Sequence, residues 1–374
     1  MKPSSKSNNG AADSETVLWK KILSNWILPL RFLLILIIPL SLLDAVRFGR
    51  ASGMPNLFSL WPIFINFGVL SLIDYAVGID QSQPTAQARQ IALYRWIALA
   101  TLPAHLLALW WGLHVYTTAG FDWSGKLGWI LSAGAVSGTL AITAAHELIH
   151  KTGKLEQWVG GILLSSVCYG GFKIEHIYGH HVHVSTPQDA SSARYGQSVY
   201  HFLPRAVWHN TRNAWRLEAA RLQRHQLSHW HNEMLRWTLF SLAFAASAYA
   251  LFGAAGLVFF IGQSVVAFCE LEVINYVEHY GLERQKTAHG YERVTAMHSW
   301  NSSYRLMNWF LLNLARHSDH HAHASRRYQE LRHVEDAPQL PGGYGAMVLL
   351  ALLPPLWFRV IHPRLPAQLR KDVI

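Results

Sequence analysis

Nine histidines of this chain fall into four short clusters whose composition is typical of a metal centre. The clusters are HELIH at 146–150, EHIYGHH at 175–181, EHYG at 278–281 and RHSDHH at 316–321. Neutral imidazole is the commonest protein metal ligand, and nine imidazoles exceed what one ion can hold. The sequence therefore predicts a polynuclear metal centre with histidine ligands alone. The candidate ligands are His146, His150, His176, His180, His181, His279, His317, His320 and His321.

The spacing within the first two clusters suits helices. His146 and His150 are four residues apart, which places them on one helical face with Cβ atoms about 5–6 Å apart. Side chains at that spacing can reach one ion at about 2.1 Å, the zinc–nitrogen distance. His176 and His180 repeat this spacing, so they too are placed to reach one ion. His181 points to a different side and could serve a second ion.

The last cluster has a similar pattern. His317, His320 and His321 are spaced i, i+3 and i+4, so we expect them to share a helical face. His279 stands just beyond a long apolar run. A single pair of this kind, or a doublet such as His320-His321, could instead be a solvated, pH-sensitive patch. The joint occurrence of four clusters favours metal.

Five acidic residues near the clusters are candidates to support the ligands. Adjacent helical residues point about 100° apart, so a carboxylate is poorly placed to support its own neighbour. It can instead accept the free ring N–H of a histidine from another cluster, which fixes the tautomer and basicity of that ring. Direct ligation and simple balancing of local positive charge remain alternatives. The five residues are Glu147, Glu175, Glu278, Asp319 and Asp189.

Other histidines near the clusters are weaker candidates. His183 and His323 follow the second and fourth clusters directly. His225, His229 and His231 resemble a further cluster, but their Gln/Arg/Ser-rich surroundings predict exposure to solvent.

Six apolar segments are long enough to position the clusters at a membrane. A bilayer core about 30 Å thick needs about 20 predominantly apolar residues. The sequence therefore predicts an all-α integral membrane protein with six transmembrane helices and a cytoplasmic histidine-rich site for two metal ions. Only Gly253 separates the last two spans, so we expect a tight hairpin there. The spans are roughly 24–46, 54–77, 92–115, 124–145, 235–252 and 254–276.

The segments outside these spans are assigned by composition. Residues 1–20 are polar and are predicted to be a disordered cytoplasmic tail. The apolar segment 343–361 is interrupted by Pro354-Pro355, so we expect an interfacial or re-entrant helix rather than a seventh span. The spans appear almost without ionisable groups at mid-membrane, which argues against a metal transporter with ligands along a path.

Charge and cysteine content limit orientation and partners. Lysine and arginine concentrate in the tail, between the fourth and fifth spans and after the sixth, whereas the opposite loops carry only Arg47, Arg50 and Lys126. The positive-inside rule then places both termini and all four clusters in the cytoplasm. The net charge of +10 also suits anionic lipid or an acidic partner, and no nucleic-acid partner is expected. The two cysteines are too few for an iron–sulfur or rubredoxin module within the chain, so electrons must come from another protein.

Four sequence motifs resemble those of the membrane-bound alkane hydroxylases, which are related to membrane desaturases and xylene monooxygenase. The resemblance runs from about Trp61 to Pro363, with one departure at Ala315, where members often have Gln. The NYVEHYGL motif separates alkane hydroxylases from ordinary desaturases. The motifs are HELIHK at 146–151, EHIYGHH at 175–181, NYVEHYGL at 275–282 and ARHSDHHAH at 315–323, with HSWNS at 298–302 and RRYQELR at 326–332.

The resemblance implies a rubredoxin-dependent alkane 1-monooxygenase of the bacterial inner membrane. The expected cofactor is two non-haem iron ions held by the nine histidines, and O2 is the co-substrate. Electrons are expected from rubredoxin, itself reduced by a rubredoxin reductase. Residues 21–374 would form one hydroxylase domain, with cytoplasmic catalytic segments 146–234 and 277–342. Imidazole alone does not select iron, because it also suits zinc, copper and nickel.

The substrate is less constrained than the metal centre. On the second predicted span, Asn66 and Phe67 are candidates for lining a substrate channel and limiting its length. Asn66 could equally form a helix–helix hydrogen bond. Besides n-alkane hydroxylation, the same scaffold could support methyl hydroxylation of alkyl-aromatics, fatty-acid ω-hydroxylation or desaturation.

Overall fold

The computed structural model describes residues 28–85 and 92–369, and it is built almost entirely of helices. The predicted tail at 1–20 lies outside these residues. The helices are α1 Leu28–Ile37, α2 Leu40–Ser52, α3 Pro55–Phe58, α4 Trp61–Val77, α5 Ala92–Thr118, α6 Trp123–Ile149, α7 Lys154–Ser165, α8 172–183, α9 Val199–Arg224, α10 Glu233–His279, α11 Arg305–Phe310, α12 His317–Ala322, α13 Tyr344–Ala351 and α14 Pro354–Ile361. Strands β1 Lys286–Thr287 and β2 Gly290–Tyr291 pair antiparallel, and short 3₁₀ turns lie at His229–His231, Ala296–His298, Tyr328–Glu330, His362–Arg364 and Ala367–Leu369.

Within the described residues, three helices are long and apolar enough to cross a membrane: α5, α6 and α10. The pair α1 and α2, bent by 47° between them, would make a fourth span if it is counted as one. Helix α4 is apolar but shorter. Each of the six predicted segments is therefore mainly helical where the structure describes it, with breaks at 38–39 in the first and at 59–60 in the second.

Helix α10 is a hairpin with its turn at Gly253. This glycine has φ 66° and ψ −161°, a conformation that side-chain-bearing residues rarely adopt. The Phe244 and Phe260 rings stack with centroids 6.4 Å apart, whereas 16 residues of straight helix span about 24 Å. The chain thus turns back on itself at Gly253, which confirms the predicted hairpin.

The second arm of α10 packs closely against α6. A Cβ atom at Gly134 would stand 2.4 Å from Val266 Cβ and 2.8 Å from the Gln263 carbonyl oxygen. Small residues of this kind let helix backbones approach closely where lipid offers no hydrophobic driving force. This contact fixes two helices that end at histidine clusters.

The segment 343–361 forms two short helices. Helices α13 and α14 have eight residues each and are separated by a break at Leu352–Leu353, ahead of the two prolines. Eight helical residues span only about 12 Å, so neither helix could cross a bilayer. Tyr344 at the start of α13 is buried against the interior of the protein.

Arginine contacts anchor the polar end of the helix bundle. The Arg95 guanidinium pairs with Glu156 at 2.7 Å, which joins α5 to α7. Arg316, which precedes α12, donates to the carbonyl oxygens of Asp80 at 2.9 Å and Leu331 at 2.8 Å. These contacts hold the segment that carries the fourth histidine cluster.

We expect Gly134→Ala to lower the thermal stability of the detergent-solubilised protein. The added Cβ must displace Val266 and main-chain atoms, and overpacking of this kind typically costs about 1–3 kcal/mol. Thermal unfolding is the measurement. Gly68→Ala is the matched control, because its Cβ would meet nothing closer than Phe64 Cδ2 at 3.7 Å. Equal unfolding temperatures for the two variants would contradict the close packing.

Candidate metal centre

The nine cluster histidines converge into two adjacent groups at one end of the bundle. In each group, one ligand atom from every member lies within 4.8 Å of those of the other members. The first group has five histidines, His146, His150, His176, His181 and His320, and the second has four, His180, His279, His317 and His321. Two groups agree with the predicted polynuclear centre.

The spacing of the ring nitrogens suits ions shared between rings. Nitrogen ligands about 2.1 Å from one ion stand about 3.0 Å apart at 90° and about 3.4 Å apart at 109°. The observed Nε2–Nε2 distances fall between these values. They are 3.1 Å for His150–His176, 3.1 Å for His176–His181, 3.2 Å for His181–His320, 3.2 Å for His180–His321 and 3.2 Å for His279–His317.

The second cluster is divided differently from the prediction. His176 and His181 belong to one group, and His180 belongs to the other. The ligand atoms of His176 therefore group with those of His181 rather than with those of His180, the partner that the i, i+4 spacing had indicated. The reason is a π-helical turn at His176–His180. This turn has i→i+5 hydrogen bonds, so it aligns residues five apart rather than four apart.

The fourth cluster also contributes to both groups. His317 and His321 belong to the four-membered group, whereas His320 belongs to the five-membered group. The predicted common helical face of His317, His320 and His321 does not bring the three rings into one group, because α12 lies between the two groups. In the first cluster, His146 and His150 do belong to one group, as their spacing predicted.

The arrangement of the ring nitrogens suits metal coordination better than hydrogen bonding between the rings. His176 Nε2 faces both His150 and His181, and His181 Nε2 faces both His176 and His320. One imidazole nitrogen offers either one hydrogen or one lone pair, so a nitrogen that faces two others can pair with only one of them. Within residues 28–85 and 92–369, the buried Nε2 of His146 has no hydrogen-bond partner. Cations coordinated by neutral imidazoles would satisfy all of these atoms.

Burial keeps these rings in the protonation state that metal binding needs. Desolvation, reinforced by repulsion from neighbouring imidazoles, holds the pKa values of His176, His317 and His320 well below their usual range. The same causes lower the pKa values of His150 and His321. Neutral imidazole is the ligand form, so metal binding need not displace protons from these rings near pH 7.

Asp189 and Glu278 are the two predicted acids that contact cluster rings. Asp189 Oδ2 lies 2.9 Å from His180 Nδ1 and accepts the Ser192 hydroxyl at 2.6 Å. Burial opposes ionisation of Asp189, but its interactions with His180 and Ser192, and the charge of His279, together lower the pKa of the carboxyl. Glu278 Oε2 lies 3.2 Å from His317 Nε2, beside the ligand atom itself. Its other oxygen accepts a hydrogen bond from Tyr344 Oη at 2.8 Å.

The contacts of the other three acids differ from the expectation. Glu147 pairs at 3.1 Å with Lys151, one helical turn away on the same side. Glu175 accepts a hydrogen bond from Asn213 at 3.2 Å. Asp319 points out of the centre and accepts from Arg326 at 2.6 Å. Nearby basic and amide donors occupy these carboxylates, so they hold surrounding segments rather than ligand rings.

The weaker histidine candidates lie outside both groups. His183 is half-buried and His323 is exposed, and neither belongs to a group. His225, His229 and His231 are exposed, as their polar surroundings predicted.

An apolar cavity leads from His146 into the bundle. His146 lines it together with Asn66 and Phe67, the two sequence-predicted channel residues. Asn66 also donates hydrogen bonds to the Pro62 carbonyl at 2.8 Å and to Ser41 Oγ at 3.3 Å. It therefore makes the alternative helix–helix contact and lines the cavity as well. Asn66 and Phe67 lie in a π-helical stretch, Phe64–Val69.

Two glutamates on the second arm of α10, the half-buried Glu270 and the buried Glu272, were missed by the sequence reasoning. Glu270 lines the cavity, and Glu272 accepts hydrogen bonds from Tyr169 and Asn210. Both lie inside the predicted sixth span, so that span is not free of ionisable groups. The signal was available in the sequence, because a carboxylate in a transmembrane segment is costly and usually functional.

Comparison with known proteins agrees with this geometry. The fatty acid desaturase family pattern matches residues 121–351, which include every candidate histidine ligand. The chain is 52% identical over 326 residues to alkane 1-monooxygenase 2 of Pseudomonas aeruginosa, covering 84% of this chain and 86% of that protein. The chain belongs to the alkane 1-monooxygenase family. Within this family it is also 49% identical to alkane 1-monooxygenase 2 of Alcanivorax borkumensis, over 85% of this chain and 86% of that protein.

A more distant relative is named for a different class of substrate. The hydroxylase component of the xylene/toluene monooxygenase of Pseudomonas putida is 30% identical over 63% of this chain and 63% of its own length. The family resemblance seen in the sequence motifs is thereby confirmed.

We expect paired alanine substitutions to remove metal from one group at a time. His176→Ala/His181→Ala and His317→Ala/His321→Ala should each lower the bound metal by about one ion per chain, since each pair belongs to one group. Metal analysis after anaerobic loading with ferrous iron is the measurement. His225→Ala/His229→Ala, at exposed positions, is the matched control. Complete loss of iron with either pair alone would contradict two separable sites.

Proposed function

We propose that this protein hydroxylates the terminal carbon of n-alkanes to primary alcohols, using O2 and electrons from rubredoxin. The observation that carries the proposal is the junction at His146. This one side chain belongs to a histidine group and also lines the apolar cavity. An alkyl chain in the cavity would present its end to the metal centre. The names of the curated relatives support the same substrate class.

The proposed cofactor is a pair of non-haem iron ions, one in each histidine group. Iron bound there would supply the redox chemistry that activates O2. Amino-acid side chains cannot supply that chemistry. The residues of the chain supply position and environment. The His180 ring is oriented by Asp189, and Glu278 lies beside His317, where it can act as a further ligand.

The cavity binds and positions the inert substrate. Its walls are mainly aliphatic and aromatic, with Ile142, Leu271 and Phe310 among them. Burial of an alkyl chain gains about 0.8 kcal/mol per methylene, which compensates for the absence of polar groups on an alkane. The same walls exclude water and hold the terminal methyl group near His146, so that reaction at other carbons is disfavoured.

We place the metal centre on the cytoplasmic side of the bacterial inner membrane, with six spans and both termini on that side. Counting the two arms of α10 separately, and the α1–α2 pair and α4 as one span each, gives six. Arg50, Ala119 and Phe121 line one small cavity, so the segments that follow α2 and α5 lie together. Lysine and arginine are far more numerous on the histidine side, as expected for a cytoplasmic face.

The proposed electron donor has a suitable docking surface. Four arginines, Arg194, Arg205, Arg212 and Arg216, line an open polar cavity of about 680 Å³. Glu175 and Gln188, which directly precede His176 and Asp189 in the chain, line the same cavity. A basic surface beside the centre would attract an acidic rubredoxin and hold it near the histidines. Rubredoxin reductase would then reduce the oxidised rubredoxin again.

A second candidate function is methyl hydroxylation of alkyl-aromatic compounds. The similarity to the xylene/toluene monooxygenase component favours it. A cavity that admits an alkyl chain end-on at His146 could also admit a benzylic methyl group.

The proposed function is tested with purified protein, rubredoxin, rubredoxin reductase and NADH. We expect O2-dependent formation of 1-alkanols from n-alkanes, at a rate that exceeds p-cymene or fatty-acid hydroxylation about tenfold or more, because the cavity binds apolar chains. Product analysis over n-hexane to n-hexadecane is the measurement. Desaturated products, products from p-cymene alone, or zinc in place of iron would refute the proposal.

We expect charge reversal in the arginine cavity to weaken the interaction with rubredoxin. Arg194→Glu/Arg212→Glu, at two exposed positions, should raise the KM for rubredoxin about tenfold or more at low ionic strength. Steady-state kinetics over a rubredoxin series is the measurement. Lys154→Glu/Lys286→Glu removes the same charge at exposed positions outside that cavity and is the control. An equal change in KM for both pairs would mean that docking depends on net charge alone.

A further inference from the structure

A carboxyl group stands in the wall of the apolar cavity, at the end remote from the histidines. The cavity-lining residues of α6 run from Gly138 to His146, and Thr139 is seven residues, or about 10 Å, before His146. On the second arm of α10 they run from Glu270 to Ile274, and the ligand His279 ends that arm. Glu270 and Thr139 therefore mark the far end of the lining on both helices.

Glu270 has one oxygen that is satisfied and one that is not. Oε1 accepts a hydrogen bond from Thr139 Oγ1 at 3.0 Å. Oε2 is buried, and within residues 28–85 and 92–369 it has no hydrogen-bond partner. It sits above Gly138, where a Cβ atom would approach it to 2.4 Å. Glycine at this position thus leaves room for the carboxyl.

The surroundings offer no charge to balance this group. Among the described residues that line the cavity there is no lysine or arginine, and the one basic side chain is His146 at the opposite end. Thr139 supplies a hydrogen bond to only one of the two carboxyl oxygens. A buried polar atom without a hydrogen bond is destabilising. A purely hydrocarbon ligand would leave Oε2 in this unsatisfied state. The arrangement points to a ligand with a polar group at this position.

We propose that the cavity also accepts medium-chain primary alcohols, with the hydroxyl bound by Glu270 Oε2 and the remote methyl group directed to His146. This inference rests on the proposed hydroxylase function and names a second substrate class for it. A hydroxyl both donates and accepts, so it can pair with Oε2 whether the carboxyl is ionised or protonated. A fatty-acid carboxylate would be repelled by an ionised Glu270.

The length of the alcohol follows from the geometry. The distance of about 10 Å along α6, divided by the roughly 1.2 Å advance per bond of an extended chain, corresponds to about eight bonds. 1-Octanol is thus the expected best fit.

Hydroxylation of 1-octanol consumes the same co-substrates as the proposed hydroxylation of n-alkanes. A C–H bond of the ω-methyl group is broken, and a C–O bond forms with one atom of O2. The other oxygen atom leaves as water with two protons, and reduced rubredoxin supplies the two electrons. The product is an α,ω-diol. Because a 1-alkanol is the product of alkane hydroxylation, the enzyme would consume its own product in the reversed orientation.

The experiment compares n-octane and 1-octanol in direct competition, with Glu270→Leu, Glu270→Gln and Thr139→Val beside the unsubstituted protein. We expect the unsubstituted protein to form 1,8-octanediol, and Glu270→Leu to lower the diol-to-octanol product ratio about tenfold. Glu270→Gln retains hydrogen-bonding atoms and should keep the ratio. Thr139→Val removes only the Thr139–Glu270 hydrogen bond and should also keep it, which separates ligand binding from a helix–helix contact.

A binding measurement makes the test independent of turnover. Equilibrium binding of radiolabelled 1-octanol to the detergent-solubilised protein should weaken about tenfold in Glu270→Leu and little in Glu270→Gln. Thermal unfolding of each variant checks that it is folded. The inference is overturned if Glu270→Leu leaves both the ratio and the affinity unchanged, or if Thr139→Val reproduces Glu270→Leu. Absence of product from n-octane would instead refute the proposed function, while the binding arm still decides the role of Glu270.

Discussion

Nine imidazoles packed side by side, seven of them buried, constrain everything else in this structure. Their Nε2 atoms stand 3.1–3.2 Å apart in chains such as His150–His176–His181–His320, in which a single nitrogen faces two others. Hydrogen bonding cannot satisfy such a chain, because each nitrogen has one position for a proton or a lone pair. Coordination to cations can. The ends of α6 and α10 and the whole of α8 and α12 must therefore be held in place around the same small volume.

Irregular helix geometry is the means by which the chain distributes rings between the two groups. The π-helical turn at His176–His180 directs His181 toward His176 and leaves His180 for the second group. Two further π-helical stretches, Phe64–Val69 and Gly138–Ile142, carry residues that line the cavity. π-Helical turns are rare and concentrate at functional sites, where they reorient side chains that a regular helix would direct elsewhere.

The cavity connects this centre to the membrane part of the protein. His146 is the only side chain that belongs both to a histidine group and to the described cavity lining. Apolar walls suit a substrate that partitions into lipid, and they also keep water away from a reactive centre. Glu270 interrupts this apolar character at the far end, so the two ends of the cavity differ in chemistry. That difference would give a bound 1-alkanol a preferred direction.

The sequence by itself determined which residues form the centre and what kind of protein contains it. Nine histidines in four clusters, apolar runs of membrane length and the Gly253 turn are local signals, and each was readable without tertiary structure. The assignment of rings to ions was not. The i, i+4 rule paired His176 with His180, because sequence spacing assumes a regular helix and a π-helical turn changes the angular offset of every later residue. The partners of Glu147, Glu175 and Asp319, and the position of Glu270 at the end of a cavity, depend on contacts between segments distant in the chain. Such contacts are decided by packing, which only the tertiary structure shows.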